Sequence, residues 1–148
     1  MYKIIYTIFC LTIIISSSVA EETFVSLKKN KVNVRYGPSF DSDIKYVYKK
    51  INLPLKQIDK KENFRRIIDH KKNSGWIHIS QLRPSRSLIT TNEKILFKNS
   101  TKYSKPLAKL DQGRLLKVIK CEKKWCNIKT GDHSGWITKD NNIWGIVN

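Results

Sequence analysis

One tetrapeptide, present twice, limits what this chain can fold into. Ser74-Gly75-Trp76-Ile77 returns as Ser134-Gly135-Trp136-Ile137. The same features precede each copy. In the first, Leu53-Pro54-Leu55-Lys56-Gln57-Ile58 leads to a polar stretch over 59–63, then Phe64, then Arg65-Arg66-Ile67-Ile68. In the second, Arg114-Leu115-Leu116-Lys117-Val118-Ile119 leads to a polar stretch over 120–124, then Trp125, then Cys126-Asn127-Ile128. Phe64 therefore matches Trp125, and Trp76 matches Trp136. The period is roughly 60 residues, too long for a solenoid unit and suited to one small β-domain per copy.

Within the first copy the strand signals are dense. Phe24-Val25-Ser26-Leu27 reads as an opening strand, and 28–31 as a turn. Val32-Asn33-Val34-Arg35 alternates apolar and polar, the period of a half-buried strand. Tyr36-Gly37-Pro38-Ser39 breaks it into a defined turn, since Gly permits positive φ and Pro fixes its own. After a polar excursion, Ile44-Lys45-Tyr46-Val47-Tyr48 resumes the strand. Pro54 opens another strand, where a missing amide donor does least harm. The residues 69–73 form a polar tip before Gly75-Trp76.

This order of short strands around one long early loop resembles the bacterial SH3-like domain. The resemblance rests on Val32-Asn33-Val34-Arg35-Tyr36-Gly37-Pro38-Ser39, on the Phe64 position, on Gly75-Trp76-Ile77 and on Gln81-Leu82. It implies an all-β chain of two tandem small β-barrels, over residues 22–84 and 87–148. The second copy departs from the pattern. Lys94-Ile95-Leu96-Phe97 replaces the first motif, and no Gly-Pro turn follows it. The departure leaves open whether both copies bind one ligand or one binds while the other packs. The linker, near Pro84-Ser85-Arg86-Ser87, is short, so the copies are expected to pack on each other. The tail Ile143-Trp144-Gly145-Ile146-Val147 is apolar and is expected to dock as a closing strand, because exposed it would be a sticky edge.

The first 20 residues read as a cleaved signal peptide. Lys3 supplies a positive start, Ile4 to Ile15 an apolar run, and Ser18-Val19-Ala20 a small-residue cleavage site. The run is short for a membrane span, and no other stretch reaches that length. An uncleaved anchor is the competing reading. Cys10 lies inside the run rather than after it, which argues against a lipid anchor. The expected location is the periplasm or the exterior.

The net charge is +17. Such a field favours anionic partners. Interspersed lysine pairs are also the usual dress of solvated faces, and an AT-biased genome supplies lysine by codon drift. For an exported chain an envelope polyanion is the natural partner, and nucleic acid is not expected.

Cys121 and Cys126 flank Glu122-Lys123-Lys124-Trp125. With Lys123-Lys124 as the two turn residues of a hairpin, the cysteines face each other within disulfide reach. Export permits the bond. A redox pair would use the tighter Cys-x-x-Cys spacing, and zinc would need two more ligands with only His133 near in sequence. A structural disulfide is the preferred reading, with no metal or cofactor.

No nucleophile elbow, His-Glu-x-x-His motif or phosphate loop occurs. The chain reads as a non-enzymatic binding module for cell-wall peptide or an envelope protein segment, as the resemblance implies. The ligand-binding candidates are Tyr36, Tyr46, Tyr48, Phe64 and Trp125. Eukaryotic relatives grip proline-rich helices with a row of loop aromatics. Tyr36 and the Phe64/Trp125 position are the nearest equivalents here, so that specificity is not expected. Trp76 reads as a core filler, with Gly75 making room for it. The alternative is a structural accessory subunit docking on an envelope enzyme or transporter, which an exposed Trp144 would favour.

Overall fold

The computed structural model describes residues 23–146. The leader expected over residues 1–20 lies outside them, as does Val147. The first copy contributes β1 (Thr23–Leu27), β2 (Val32–Arg35), β3 (Ile44–Tyr48), β4 (Pro54–Lys61), β5 (Phe64–Ile68), β6 (Ser74–His78) and β7 (Leu82–Pro84). A 3-10 turn, Ile79–Gln81, precedes β7. The second contributes β8 (Ser87–Thr90), β9 (Lys94–Phe97), β10 (Pro106–Leu110), β11 (Leu115–Cys121), β12 (Trp125–Thr130), β13 (His133–Thr138) and β14 (Ile143–Trp144).

Each copy forms a seven-stranded antiparallel sheet. The strand orders are β3-β2-β6-β5-β4-β1-β7 and β10-β9-β13-β12-β11-β8-β14, which are the same order position by position. The duplication seen in the residues is thus a duplication of topology. The described residues are all-β, as their alternating patterns imply.

Both sheets bend at the same place. The pairing of β4 with β5 shifts register at Ile58, and that of β11 with β12 shifts at Ile119. A bulge inserts one extra residue and turns the strand more sharply. It also lets β4 run on through the polar stretch expected to be a turn. Asp59 pairs with Arg66 and Lys60 with Arg65, and the turn itself shrinks to Glu62 and Asn63.

The cores follow from alternation along the strands. Leu27, Val32, Val34, Leu55, Ile67 and Ile77 fill the first, and Leu88, Leu96, Leu116, Cys126, Ile128 and Ile137 the second. Ile89, from β8, packs in the first core, with Leu115 against it. In the second core Lys94 replaces Val32 and is buried. Its ammonium reaches the carbonyl and hydroxyl of Thr138 and both oxygens of Asp140 at 2.6 and 2.7 Å. A buried charge needs this degree of pairing.

The Gly-Trp-Ile motif works differently from the expectation drawn from tryptophan size. Gly75 and Ile77 face inward and are buried, whereas Trp76 faces out and is half-buried. A Cβ on Gly75 would stand 2.4 Å from Val34 Cγ1, and one on Gly135 would stand 2.6 Å from the Phe97 carbonyl oxygen. The glycine is there because β6 crosses β2, and β13 crosses β9, too closely for a side chain. The period of two then places the tryptophan on the outer face.

The sheets are joined by Ser85 and Arg86 alone. The Ser85 amide donates to Phe24 in one sheet, and the Arg86 carbonyl accepts from Val118 in the other. The Ser87 hydroxyl donates to the Asn52 carbonyl at 2.6 Å. β14 pairs along the outer side of β8, so the tail does add a closing strand.

Candidate functional site

The outer face of the first sheet carries two hollows with Arg35 between them. Arg35 ends β2, opposite Trp76 on β6. Its guanidinium donates to the Ser42 carbonyl at 2.7 Å and lies 5.6 Å from the centre of the Phe40 ring. The side chain therefore braces the long loop between β2 and β3. The hydrogen bond fixes the loop's base, and the cation holds an aromatic at its tip.

On one side, Phe40, Phe64 and His78 form a three-ring wall with centroid separations of 4.9 to 5.2 Å. Lys31, Asn33 and Gln81 complete a hollow of about 220 Å³. Phe64 is buried as its floor, while Phe40 is 63% exposed. On the other side, Tyr36, Lys45, Arg66 and Trp76 line a second hollow of about 250 Å³. Tyr36 is 67% exposed, and the Lys45 ammonium lies 5.5 Å from its ring centre. Neither hollow has a carboxylate in its lining. The surface thus offers aromatic faces for aliphatic groups and cations for carboxylates.

The candidates named from sequence divide among three places. Tyr36 and Phe64 lie in the two hollows. Tyr46 and Tyr48 are half-buried against the core, in a closed polar network. The Tyr48 hydroxyl donates to Asp69 Oδ2 at 2.9 Å, and the Tyr46 and Tyr48 hydroxyls lie 3.3 Å apart. Asp69 also accepts from the amides of Lys71 and Asn73 and from the Asn73 side chain. Burial raises the Tyr48 pKa strongly, and its hydrogen bonds to Tyr46 and Asp69 keep the proton in place. This network organises a hairpin tip. Trp125 is half-buried in the second sheet, with Phe97 edge-on to it at 5.7 Å.

Phe97 stands in the place of Arg35, since both face the tryptophan of their motif. In the second copy the bracing cation is thus replaced by a ring that covers the floor aromatic. Sequence reasoning missed Phe40, His78 and the central position of Arg35. An aromatic alone in the polar run Pro38-Ser39-Phe40-Asp41 was the signal available.

Cys121 and Cys126 are opposed across β11 and β12 and joined in a disulfide. The Glu122 amide donates to the Trp125 carbonyl, leaving Lys123 and Lys124 as the turn. No group of metal-ligating side chains occurs among the described residues. Among them, too, no helix is long and apolar enough to cross a membrane. His78 Nδ1 lies 2.8 Å from the Ser80 hydroxyl, but it also accepts the Ser80 amide, which caps the 3-10 turn.

The search of curated proteins returns no match. Among solved structures, NlpC2 from Trichomonas vaginalis is similar over 83% of this chain and 48% of its own, at 11% identity and a TM-score of 0.38. NlpC1 from the same organism is similar over 86% of this chain and 47% of its own, at 13% identity and a TM-score of 0.39. The chain spans about half the length of either protein. The family model of the bacterial SH3 domain matches residues 28–84 and again residues 91–145, one match on each sheet. The chain therefore belongs to the bacterial SH3 domain family, whose domain it carries twice in tandem.

Proposed function

We propose that this chain is an exported, non-enzymatic binding module of the bacterial envelope, and that its first barrel grips a cell-wall peptide across the two hollows beside Arg35. The observation that carries this reading is Phe40. A phenylalanine left 63% exposed, yet held by two rings and a guanidinium, is built for contact rather than for the core. Aliphatic groups of a peptide stem would lie on Phe40 and Tyr36, and its free carboxylates would meet Lys31, Arg35, Lys45 or Arg66. Export is supported by the leader composition and by the disulfide, a bond at home in oxidising compartments.

The His78 ring caps the 3-10 turn by accepting the Ser80 amide at Nδ1, so that nitrogen serves the fold. The accessory-subunit reading would be favoured by a free Trp144. That side chain is instead half-buried against the first barrel.

The test is a pull-down with insoluble peptidoglycan at low and at high salt, with a Tyr36→Ala/Phe40→Ala variant in parallel. Retention at high salt that the substitutions abolish is the expected result. Binding that vanishes with salt and ignores the substitutions reduces the effect to the general positive field. Absence of binding at both salt concentrations defeats the cell-wall reading.

A further inference from the structure

Between the two barrels lies a cleft of about 630 Å³. Arg83 and Arg86 approach it from the end of the first barrel and the linker, and Lys117 and Lys129 from the second. No carboxylate lines it. Past Leu115 and Thr130 it continues into a shallower hollow with Lys50, Arg114 and a single acid, Asp111.

Lys117 and Lys129 are directly opposed on β11 and β12, so both side chains rise on one face. Like charges placed this way destabilise a sheet. Lys60 and Arg65 form a comparable pair in the first barrel, but there Arg65 turns away to donate to the carbonyls of Glu62 and Phe64. The side chains of Lys117 and Lys129 have no such outlet and make no hydrogen bond or ion pair among the described residues. Arg83 is held by Asn52, which fixes its guanidinium at the cleft.

We infer that this inter-barrel cleft is a binding site for a linear polyanion that carries a phosphate at each link. Several uncompensated cations in one open cleft call for closely repeated charge. An extended acidic peptide turns alternate side chains to opposite faces, so only half of its carboxylates would meet the cleft floor. A phosphate chain carries its charge in the backbone and presents every link. Guanidinium forks and ammonium groups are the usual partners of phosphate oxygens. This site is separate from the hollows around Arg35 and does not rest on the peptide reading.

The probe is long-chain inorganic polyphosphate, titrated into the full chain at about 150 mM salt, where the general field is screened beyond roughly 8 Å. Polyglutamate of matched charge is the comparison. Lys117→Gln/Lys129→Gln is expected to weaken polyphosphate binding about tenfold or more, the scale of two lost charge-assisted contacts. Lys60→Gln/Lys61→Gln removes the same charge away from the cleft and should weaken it less than about threefold. Polyglutamate should bind more weakly than polyphosphate. Without ligand, the Lys117/Lys129 variant should melt no lower than the parent, since it relieves a repulsion. The inference is overturned by equal losses in the two variants, by equal binding of the two polymers, or by no binding of polyphosphate.

Discussion

Trp144 donates its indole N–H to the carbonyl of Pro54 at 3.1 Å, from the last strand of one barrel to the fourth strand of the other. Its ring stands edge-on to Phe24 at 5.2 Å, and the Lys72 ammonium lies 5.5 Å from its centre. The next residue, Gly145, has φ of +127° and passes so close to Pro54 that a Cβ would stand 2.7 Å from it. Truncating Trp144 removes the packing and the hydrogen bond together. Trp144→Ala should cost about 2–3 kcal/mol, below the range for a fully buried tryptophan. Calorimetry should then show the single unfolding transition separating into two.

Gly75→Ala tests the role assigned to the motif glycine. The added methyl would meet Val34 Cγ1 at 2.4 Å and the Arg35 carbonyl at 3.0 Å. Crowding of this kind costs about 1–3 kcal/mol. The neighbouring Trp76→Leu change, on the outer face, should leave the denaturant midpoint nearly unchanged. A reversal of that ranking would restore tryptophan as the core residue.

Reduction of the Cys121–Cys126 bond, or its replacement by two serines, should lower stability by about 2 kcal/mol. The closed loop is short, so little unfolded-chain entropy is removed. The loss should appear in urea unfolding with and without reductant. It should leave the first barrel's hollows unaffected, because the bond lies in the second.

Burial works against the charged form of Asp69, but hydrogen bonds from Asn73, from the Tyr48 hydroxyl and from the Lys71 amide outweigh it and hold its pKa below the ordinary carboxylate value. A carboxyl with a depressed folded pKa contributes stability that is present above its unfolded pKa, about 3.9, and is lost as pH falls through the folded value. The Asp69 contribution should therefore be complete at neutral pH and decline only below about pH 4. Asp69→Asn should cost about 1–3 kcal/mol at pH 7 and flatten that acid decline in urea midpoints.

Phe40→Ala removes an exposed ring, so the melting temperature should hold while peptide affinity falls about tenfold, as for a contact aromatic. Phe64→Ala should lose both, because Phe64 is the buried floor.

Most of the fold was legible because a period of two in short apolar runs is a local signal. The strand from Ile44 to Tyr48, the opening at Pro54 and the turn at Lys123-Lys124 all lie where alternation and turn chemistry put them. Trp76 was misread by weighing its size above its position. Ile77 must face inward, and alternation then turns Trp76 out. The site was legible only in part. Phe40, Phe64 and His78 come from a loop and two strands, and sequence spacing does not show that they meet. Tyr46 and Tyr48 looked available because their partner, Asp69, sits on a hairpin tip far along the chain.

The joint between the barrels also has a consequence for avidity. Modules on a flexible tether share an effective concentration that falls gradually as the tether lengthens. Here two linker residues, a strand-end tryptophan and a shared isoleucine hold the two faces at one spacing and one angle. A multivalent target whose repeat matches that spacing gains the full benefit of two simultaneous contacts, and one whose repeat differs gains none. Were both faces to bind, the pair would act as a caliper for the spacing of a repeating target.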